Sequence, residues 1–315
     1  MQIFITGFTG FIGNNLLQYI AGNYPYYQVD GFSRNPDLEV YPGLRKVFTS
    51  FDTDFDNYDA VIHMAGKAHD LKRVTDEKEY YDVNYELTKQ VFDRFITSKA
   101  SRFIFLSSVK AVADKVNGVL TEEEEPGPQT PYGKSKLMAE RYLLSRELPA
   151  GKKLYILRPA MVHGPGCKGN LNLLFALISK GIPYPLGAFD NRRSYLSIDN
   201  FCFITDRLIH GSIATGVYNI ADTDPVSTVE IVTEINKTLG KRNKVYKPNA
   251  KMIRFLVKVF DRLKLPLDQE KLDKLTDSYI VSNKKIRAAM GEELPLTAKE
   301  GLLITIKYLT KAKNK

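Results

Sequence analysis

Tyr132-Gly133-Lys134-Ser135-Lys136 sets a phenol and an ammonium four residues apart, which on a helix puts both on one face. That pairing suits hydride chemistry. A free phenol has a pKa of about 10, and a nearby cation favours its phenolate; a shift of roughly three units is worth about 4 kcal/mol. The phenolate can then take a hydroxyl proton while a hydride leaves the same carbon for a nicotinamide. The spacing alone is common on helices, so its surroundings decide its meaning. Ser107-Ser108 closes the apolar run Phe103 to Leu106, where a hydroxyl at the carboxyl end of a strand can reach the same substrate oxygen. Asn84 stands near the start of a long helical stretch.

A second constellation belongs to a phosphate. Gly7-Phe8-Thr9-Gly10-Phe11-Ile12-Gly13 follows a β-branched and aromatic run and opens an apolar-periodic stretch. Glycines there let backbone N–H groups approach a pyrophosphate at a helix start. The G-x-x-G-x-x-G spacing is one residue wider than the ordinary dinucleotide fingerprint, so it is a variant of it. Further on, where an NAD site would place an acid, the chain has Ser33-Arg34. A hydroxyl and a guanidinium suit a 2′-phosphate, which favours NADP(H). If strand two ends earlier, Asp30 becomes the ribose ligand and NAD(H) is the alternative.

These groups need a frame that brings them together. Gln2 to Thr6, Tyr27 to Phe32, Ala60 to Met64, Phe103 to Leu106 and Leu154 to Leu157 read as strands. Phe11 to Ile20, Asp82 to Lys99 and Tyr132 to Glu147 read as helices between them. Alternation of this kind predicts an α/β fold: a Rossmann-type doubly wound parallel sheet with ligands beyond its carboxyl ends. Gly164-Pro165-Gly166, Gly169 and Pro183-Tyr184-Pro185 mark a loop-rich region, and Val217 to Ala221 is expected to rejoin the sheet. Val229 to Leu309 reads as helical with breaks at Pro248, Pro266 and Pro295. The expected division is a dinucleotide-binding domain over 1–165, rejoined by 196–222, and a smaller α+β substrate lobe over 166–195 and 223–315.

Composition narrows the function class. The 315 residues, 43% hydrophobic, can bury a substantial core. No run approaches the roughly 18 to 20 apolar residues of a membrane span, and Met1 leads directly into a strand, so a cytoplasmic enzyme is expected. Cys167 and Cys202 make no disulfide framework and read as reduced. The net charge of +9 is spread among acids, which argues against nucleic acid and for a small anionic substrate. His63, His69, His163 and His210 are dispersed, form no metal pattern and read as loop or packing residues. Glu122 to Glu125 reads as a solvated loop. Met252, Ile253, Leu256, Val257, Phe260 and Leu263 form an apolar helix stripe, expected to pack on the C-terminal lobe rather than on a membrane.

In order along the chain, these motifs resemble the extended short-chain dehydrogenase/reductases, the NAD-dependent epimerase/dehydratase family. The resemblance runs from Thr6 to Gly13 through His63-Met64-Ala65-Gly66, Val83-Asn84, Ser107-Ser108 and Pro131 to Lys136. It continues into Leu157-Arg158-Pro159 and Val162-His163-Gly164-Pro165-Gly166. It implies that Tyr132 is the general acid/base, Lys136 its activator and ribose ligand, and Ser108 the partner of the reacting oxygen, with Asn84 in the same catalytic group. It implies a cofactor met by Gly7, Thr9, Gly10, Phe11, Ile12, Gly13, Ser33, Arg34, Asp52, Met64, Ala65, Gly66, Ser107 and Pro159, with Asp52 on adenine.

The family's dehydratases carry Asp-Glu just after the catalytic hydroxyl, and this chain has Val109-Lys110. Hydride transfer without dehydration is therefore implied. The stretch Asn191 to Asn200 resembles the one whose arginine contacts a nucleotide diphosphate, a place held here by Arg193; Asn170 resembles a substrate-contacting asparagine. The segment from Gly164 to Ser194 is similar to bacterial UDP-hexose or UDP-N-acetylhexosamine 4-epimerases and 4-ketoreductases. Epimerase and NADPH-dependent reductase both remain open, as does a homodimer built on the two long helices. A non-catalytic NADP(H) sensor is disfavoured, because Ser108, Tyr132 and Lys136 are all present.

Overall fold

Ile3, Phe4 and Ile5 are fully buried on alternating faces of β1 (Gln2–Thr6), which therefore lies inside a sheet covered on both sides. The computed structural model describes residues 1–313 except 36, 51–53, 68–75, 243, 255–256 and 258–268. Chain order continues with α1 (Phe11–Asn23), β2 (Gln28–Phe32), β3 (Lys46–Phe48), β4 (Ala60–His63), α2 (Lys78–Tyr81) and a π turn (Asp82–Glu86). Then come α3 (Leu87–Thr97), β5 (Arg102–Leu106), β6 (Val119–Leu120), α4 (Pro131–Ser145), β7 (Lys153–Pro159) and β8 (Met161–His163).

Seven strands form one parallel sheet in the order β11-β7-β5-β4-β1-β2-β3, with β11 at Gly216–Ile220. The order reverses between β4 and β1, and the crevice at their carboxyl ends is where such sheets take ligands. On one face, Leu16, Leu17 and Ile20 of α1 pack with Ile3, Ile5, Ile62 and Leu157. On the other, Val91, Phe92 and Phe95 of α3 and Ala139 and Leu143 of α4 cover Phe4, Val61, Phe103 and Ile156. Phe103 lies 5.0 Å and 5.2 Å from the Phe92 and Phe95 rings. Truncating one such buried ring costs about 3–5 kcal/mol.

The remaining elements are α5 (Asn170–Ser179), β9 (Arg192–Arg193), β10 (Tyr195–Ser197), α6 (Ile198–His210), β12 (Val226–Ser227) and α7 (Thr228–Thr238). They end with α8 (Gln269–Thr276), β13 (Ile280–Val281), α9 (Lys284–Met290) and α10 (Ala298–Lys313). Phe175, Ile231, Ile235, Leu302 and Ile306 from α5, α7 and α10 form a separate core. Helix α6 instead covers the sheet beside α1.

Three expectations change. The stretch read as a helix from Asp82 begins at Lys78 and passes through the π turn. The C-terminal part is not wholly helical: β13 pairs with β6, because Ile280 and Val281 find a partner strand 161 residues upstream. Glu122 is not merely solvated, since its carboxylate accepts the Asn219 N–H of edge strand β11 at 2.8 Å. In the apolar stripe, Val257 is buried with Phe189 and Leu272; Leu256, Phe260 and Leu263 lie outside the described residues. Among the described residues, no helix is long and apolar enough to cross a membrane.

Candidate active site

Helix α4 begins at an unambiguous stop signal for the preceding loop. The Thr130 hydroxyl accepts the Gly133 N–H at 3.2 Å, and Pro131, whose missing N–H is harmless there, holds the first turn. Gly133 must be small: a Cβ would sit 2.3 Å from the Lys110 carbonyl, so α4 closes directly on the turn after β5. This contact brings Tyr132 up to Ser108, whose hydroxyl favours the phenolate.

Lys136, one turn on, is buried, and its Nζ donates to the Leu106 carbonyl at 2.8 Å and lies 4.8 Å from the centre of the Phe105 ring. Burial lowers the ammonium to about 8, with the Glu140 carboxylate opposing that shift. The Tyr132 phenol differs from expectation. Burial raises its pKa, the neighbouring Ser108 hydroxyl pulls the other way, and Tyr80, whose ring is 6.2 Å away edge to face, adds to the rise.

Asn84 is fully buried in the π turn, where the widened backbone turns it inward. Its Oδ1 accepts the Lys67 N–H at 2.8 Å, and its amide donates to the Lys67 carbonyl and to Ser135 Oγ. Ser135 in turn donates to the Tyr132 carbonyl at 2.9 Å. Gly66 lies against both groups, a Cβ there meeting Asn84 Oδ1 and Lys136 Nζ at 3.0 Å. Tyr132, Lys136, Ser108 and Asn84, separated by up to 52 residues of sequence, are thus one connected cluster.

The glycine turn stands at the end of β1. Gly7 has φ +76°, and a Cβ would fall 2.5–2.7 Å from the backbone of Met64 and Ala65, so the turn lies flush on the segment after β4. Thr9 and Gly10 are exposed, Phe11 and Ile12 half-buried, and α1 has no side-chain cap at Gly10. Gly13 packs back onto the Gly7 carbonyl. Open N–H groups at the positive end of a helix fit a pyrophosphate.

Ser33 follows β2 directly and Arg34 is exposed beside it. Strand β2 runs to Phe32, so Asp30 lies in mid-strand, fully buried. Arg45 Nε donates to it at 3.0 Å and the Tyr58 hydroxyl at 2.7 Å. Asp30 is a structural ion-pair partner, not the ribose ligand considered above. Pro159 is buried at the end of β7. Asp52 lies outside the described residues.

On the far side of the cleft, Arg193 of β9 donates through Nε to the Asp277 carbonyl at 3.1 Å and lies near Tyr184 and Tyr195. Asn170 is exposed as the first residue of α5. Lys110, at the dehydratase position, donates to the Asp114 carbonyl at 2.8 Å and covers the Tyr279 ring. His63 and His163 each end a strand and are buried, rather than lying in loops; His69 is outside the described residues. Among the described residues no cluster could hold a metal ion. One polar group missed in the sequence is Glu140, buried with Arg158 and Ser107. A lone acid four residues past Lys136, on a face otherwise packed in the core, is the signal that could have found it.

The chain is 30% identical to the UDP-glucose 4-epimerase of Vibrio cholerae over all of its length and 97% of the relative's. It is 26% identical to an N-acetyl-alpha-D-glucosaminyl-diphospho-ditrans,octacis-undecaprenol 4-epimerase of Escherichia coli O157:H7, over 76% of this chain and 73% of that one. Its fold matches the crystal structure of UDP-N-acetylglucosamine 4-epimerase from Bacillus cereus, with a TM-score of 0.75, 20% identity and full coverage of both chains. It also matches UDP-glucuronic acid 4-epimerase from the same organism in complex with NAD, with a TM-score of 0.74, 20% identity and 99% of each chain covered. Residues 3–221 match the NAD dependent epimerase/dehydratase family over the whole sheet and its site, and the chain belongs to that family.

Proposed function

We propose that this protein is a nucleotide-sugar 4-epimerase acting on a UDP-linked hexose or N-acetylhexosamine. The observation that carries the reading is the buried Lys136, held by the Leu106 carbonyl at the end of β5 with Tyr132 and Ser108 beside it, together with an uncapped helix start after the glycine turn. The epimerase relatives support the choice of sugar nucleotide.

The nicotinamide cofactor supplies a hydride acceptor when bound; Gly7, Thr9, Gly10, Phe11, Ile12 and Gly13 would hold its pyrophosphate, with Met64, Ala65, Gly66, Ser107 and Pro159 lining the same crevice. Tyr132 takes the proton of the C4 hydroxyl, and Ser108 holds that oxygen by a hydrogen bond as it becomes a carbonyl. The C4 hydrogen leaves with its electron pair. Burial raises the phenol, and in this reading the Lys136 ammonium, one turn away on α4, is the charge that would stabilise the phenolate. Tyr132 would return its proton to that oxygen as the inverted C4 configuration forms. Asn84 fixes the helix turn below. Arg193 would bind the diphosphate and Asn170 the substrate.

The division into a dinucleotide-binding domain, 1–165 with 196–222, and a substrate lobe, 166–195 with 223–315, is part of this reading. So is a homodimer through α3 and α4, where Met138 and Leu144 are exposed. A cytoplasmic setting suits the free, buried thiols of Cys167 and Cys202.

A second reading, an NADPH-dependent reductase of a UDP-4-keto sugar, is favoured by Ser33 and Arg34 at the end of β2 and by the commitment of Asp30 elsewhere. Identifying the nucleotide that copurifies separates the two: tightly held NAD supports the epimerase, and a site that fills with added NADPH supports the reductase. Incubation with UDP-glucose or UDP-N-acetylglucosamine should then yield the C4 epimer. Tyr132→Phe should lower kcat by about 10²–10⁴-fold while cofactor stays bound; retained turnover removes Tyr132 from the mechanism.

A further inference from the structure

Helix α4 carries a third polar residue in phase with the two already described. Glu140 lies four residues beyond Lys136, as Lys136 lies four beyond Tyr132, so three successive turns present them on one face. They meet three successive residues at the end of β5. Tyr132 faces Ser108, the Ser107 hydroxyl donates to the Glu140 carboxylate, and Lys136 donates to the Leu106 carbonyl. Arg158 of β7 clamps Glu140 from the next strand, its Nε donating to Oε1 at 3.0 Å and to Oε2 at 3.1 Å. Glu140 is 1% exposed and Arg158 5%.

A buried pair of this kind carries a desolvation cost that two apolar side chains would avoid, so its place in the site calls for a reason beyond stability. We propose that Glu140 is a positioning residue for the Tyr132–Lys136 pair. Clamped by Arg158, its carboxylate fixes Ser107, and with it the strand end that presents Ser108. It also sets a negative charge beside the buried Lys136 ammonium. This inference rests on the functional reading above, in which Tyr132 and Lys136 do the chemistry.

The charged and titratable groups around Lys136 are Tyr132 and Glu140 on its own helix, His63 on β4, and Arg158 on β7 behind Glu140. Burial pulls the ammonium down and Glu140 resists. Without Glu140, less of Lys136 is charged near neutral pH, and the phenolate loses support.

The test follows Lys136 directly, by NMR titration of protein labelled with [13Cε]lysine, its signal assigned by its loss in Lys136→Met. Turnover of UDP-glucose is measured across pH on the same samples. Glu140→Gln leaves Arg158 buried and unpaired and so can fail to fold; Glu140→Gln/Arg158→Gln leaves no unpaired charge. In a folded variant of either kind, the Lys136 midpoint should fall by about one pH unit, tenfold in proton affinity. The alkaline limb of kcat should move down with it, and kcat should fall about tenfold or more while KM stays within about twofold. An unchanged midpoint and unchanged kcat in the folded double variant overturn the proposal. Turnover surviving in Tyr132→Phe is a different failure, that of the functional reading, and the Lys136 midpoint still decides the electrostatic role of Glu140.

Discussion

Thr6 and His63, side by side at the ends of β1 and β4, are joined by a hydrogen bond of 2.7 Å between Oγ1 and Nδ1. The Ala65 N–H donates to the same Thr6 oxygen at 3.1 Å. On the other side of the ring, Nε2 lies 2.9 Å from Thr88 Oγ1, and that hydroxyl donates to the Asn84 carbonyl. With the Thr88 proton committed, His63 must donate from Nε2 and accept at Nδ1. One neutral imidazole thereby ties the end of β1, where the glycine turn starts, to the π turn through three hydrogen bonds.

His63 makes stability depend on pH. Burial first, and the Lys136 charge second, push its pKa down from 6.5 to about 3. The unfolded chain gains a proton below pH 6.5 that the folded chain refuses, so this contribution is complete above 6.5 and is lost as pH falls from there toward 3. The slope is up to about 1.4 kcal/mol per pH unit. His63→Leu should cost about 1–3 kcal/mol at pH 7.5, because Thr6 loses its acceptor. At pH 5 the gap between wild type and variant in urea unfolding should shrink by about 2 kcal/mol; an equal gap at both values would count against the neutral ring.

Gly7→Ala combines a left-handed backbone, φ +76°, with a Cβ driven into Met64 and Ala65. The expected loss is about 2–5 kcal/mol, summing conformational strain and overpacking. Gly22→Ala, in open space on α1, should instead stabilise by about 0.5–1 kcal/mol. Chemical denaturation of both variants makes the comparison; similar midpoints would refute the close approach at Gly7.

Arg34→Ala should weaken NADP(H) about tenfold or more and NAD(H) by less than about twofold, the loss of one charge-assisted contact to a 2′-phosphate. Calorimetry with both cofactors reads it. A wild type that prefers NAD, or a variant that loses both equally, removes the support for the reductase.

Arg193→Met should raise KM for UDP-glucose and Ki for UDP by about tenfold or more, with kcat much less affected. Loss of kcat with KM unchanged would place Arg193 outside the diphosphate site and leave it bracing Asp277.

Much of the sheet was legible because buried parallel strands read as unbroken apolar runs, as Phe103 to Leu106 does. Strand β3 was not read, being three residues long at the sheet edge. The glycine turn and the Tyr132–Lys136 pair were legible from local spacing. The role of Asp30 was not: its partner Arg45 is fifteen residues away and joins it only once β2 and β3 pair. Nor could spacing show that the phenol's pKa rises, since burial of Tyr132 depends on Tyr80 arriving from another helix. Glu140 escaped for the same reason, its partners Ser107 and Arg158 lying on two different strands.

The π turn at Asp82–Glu86 holds one more residue than a regular helix would over the same rise. Upstream of it Tyr80 faces Tyr132, and downstream Thr88 faces His63. Deleting a single residue from 82 to 86 would let the helix close into a regular one. It would also rotate these two contacts by about 100° relative to each other. The segment thus works as a phase setter whose length matters more than its composition: it should tolerate exchanges at exposed Asp82 far better than the loss of any one residue.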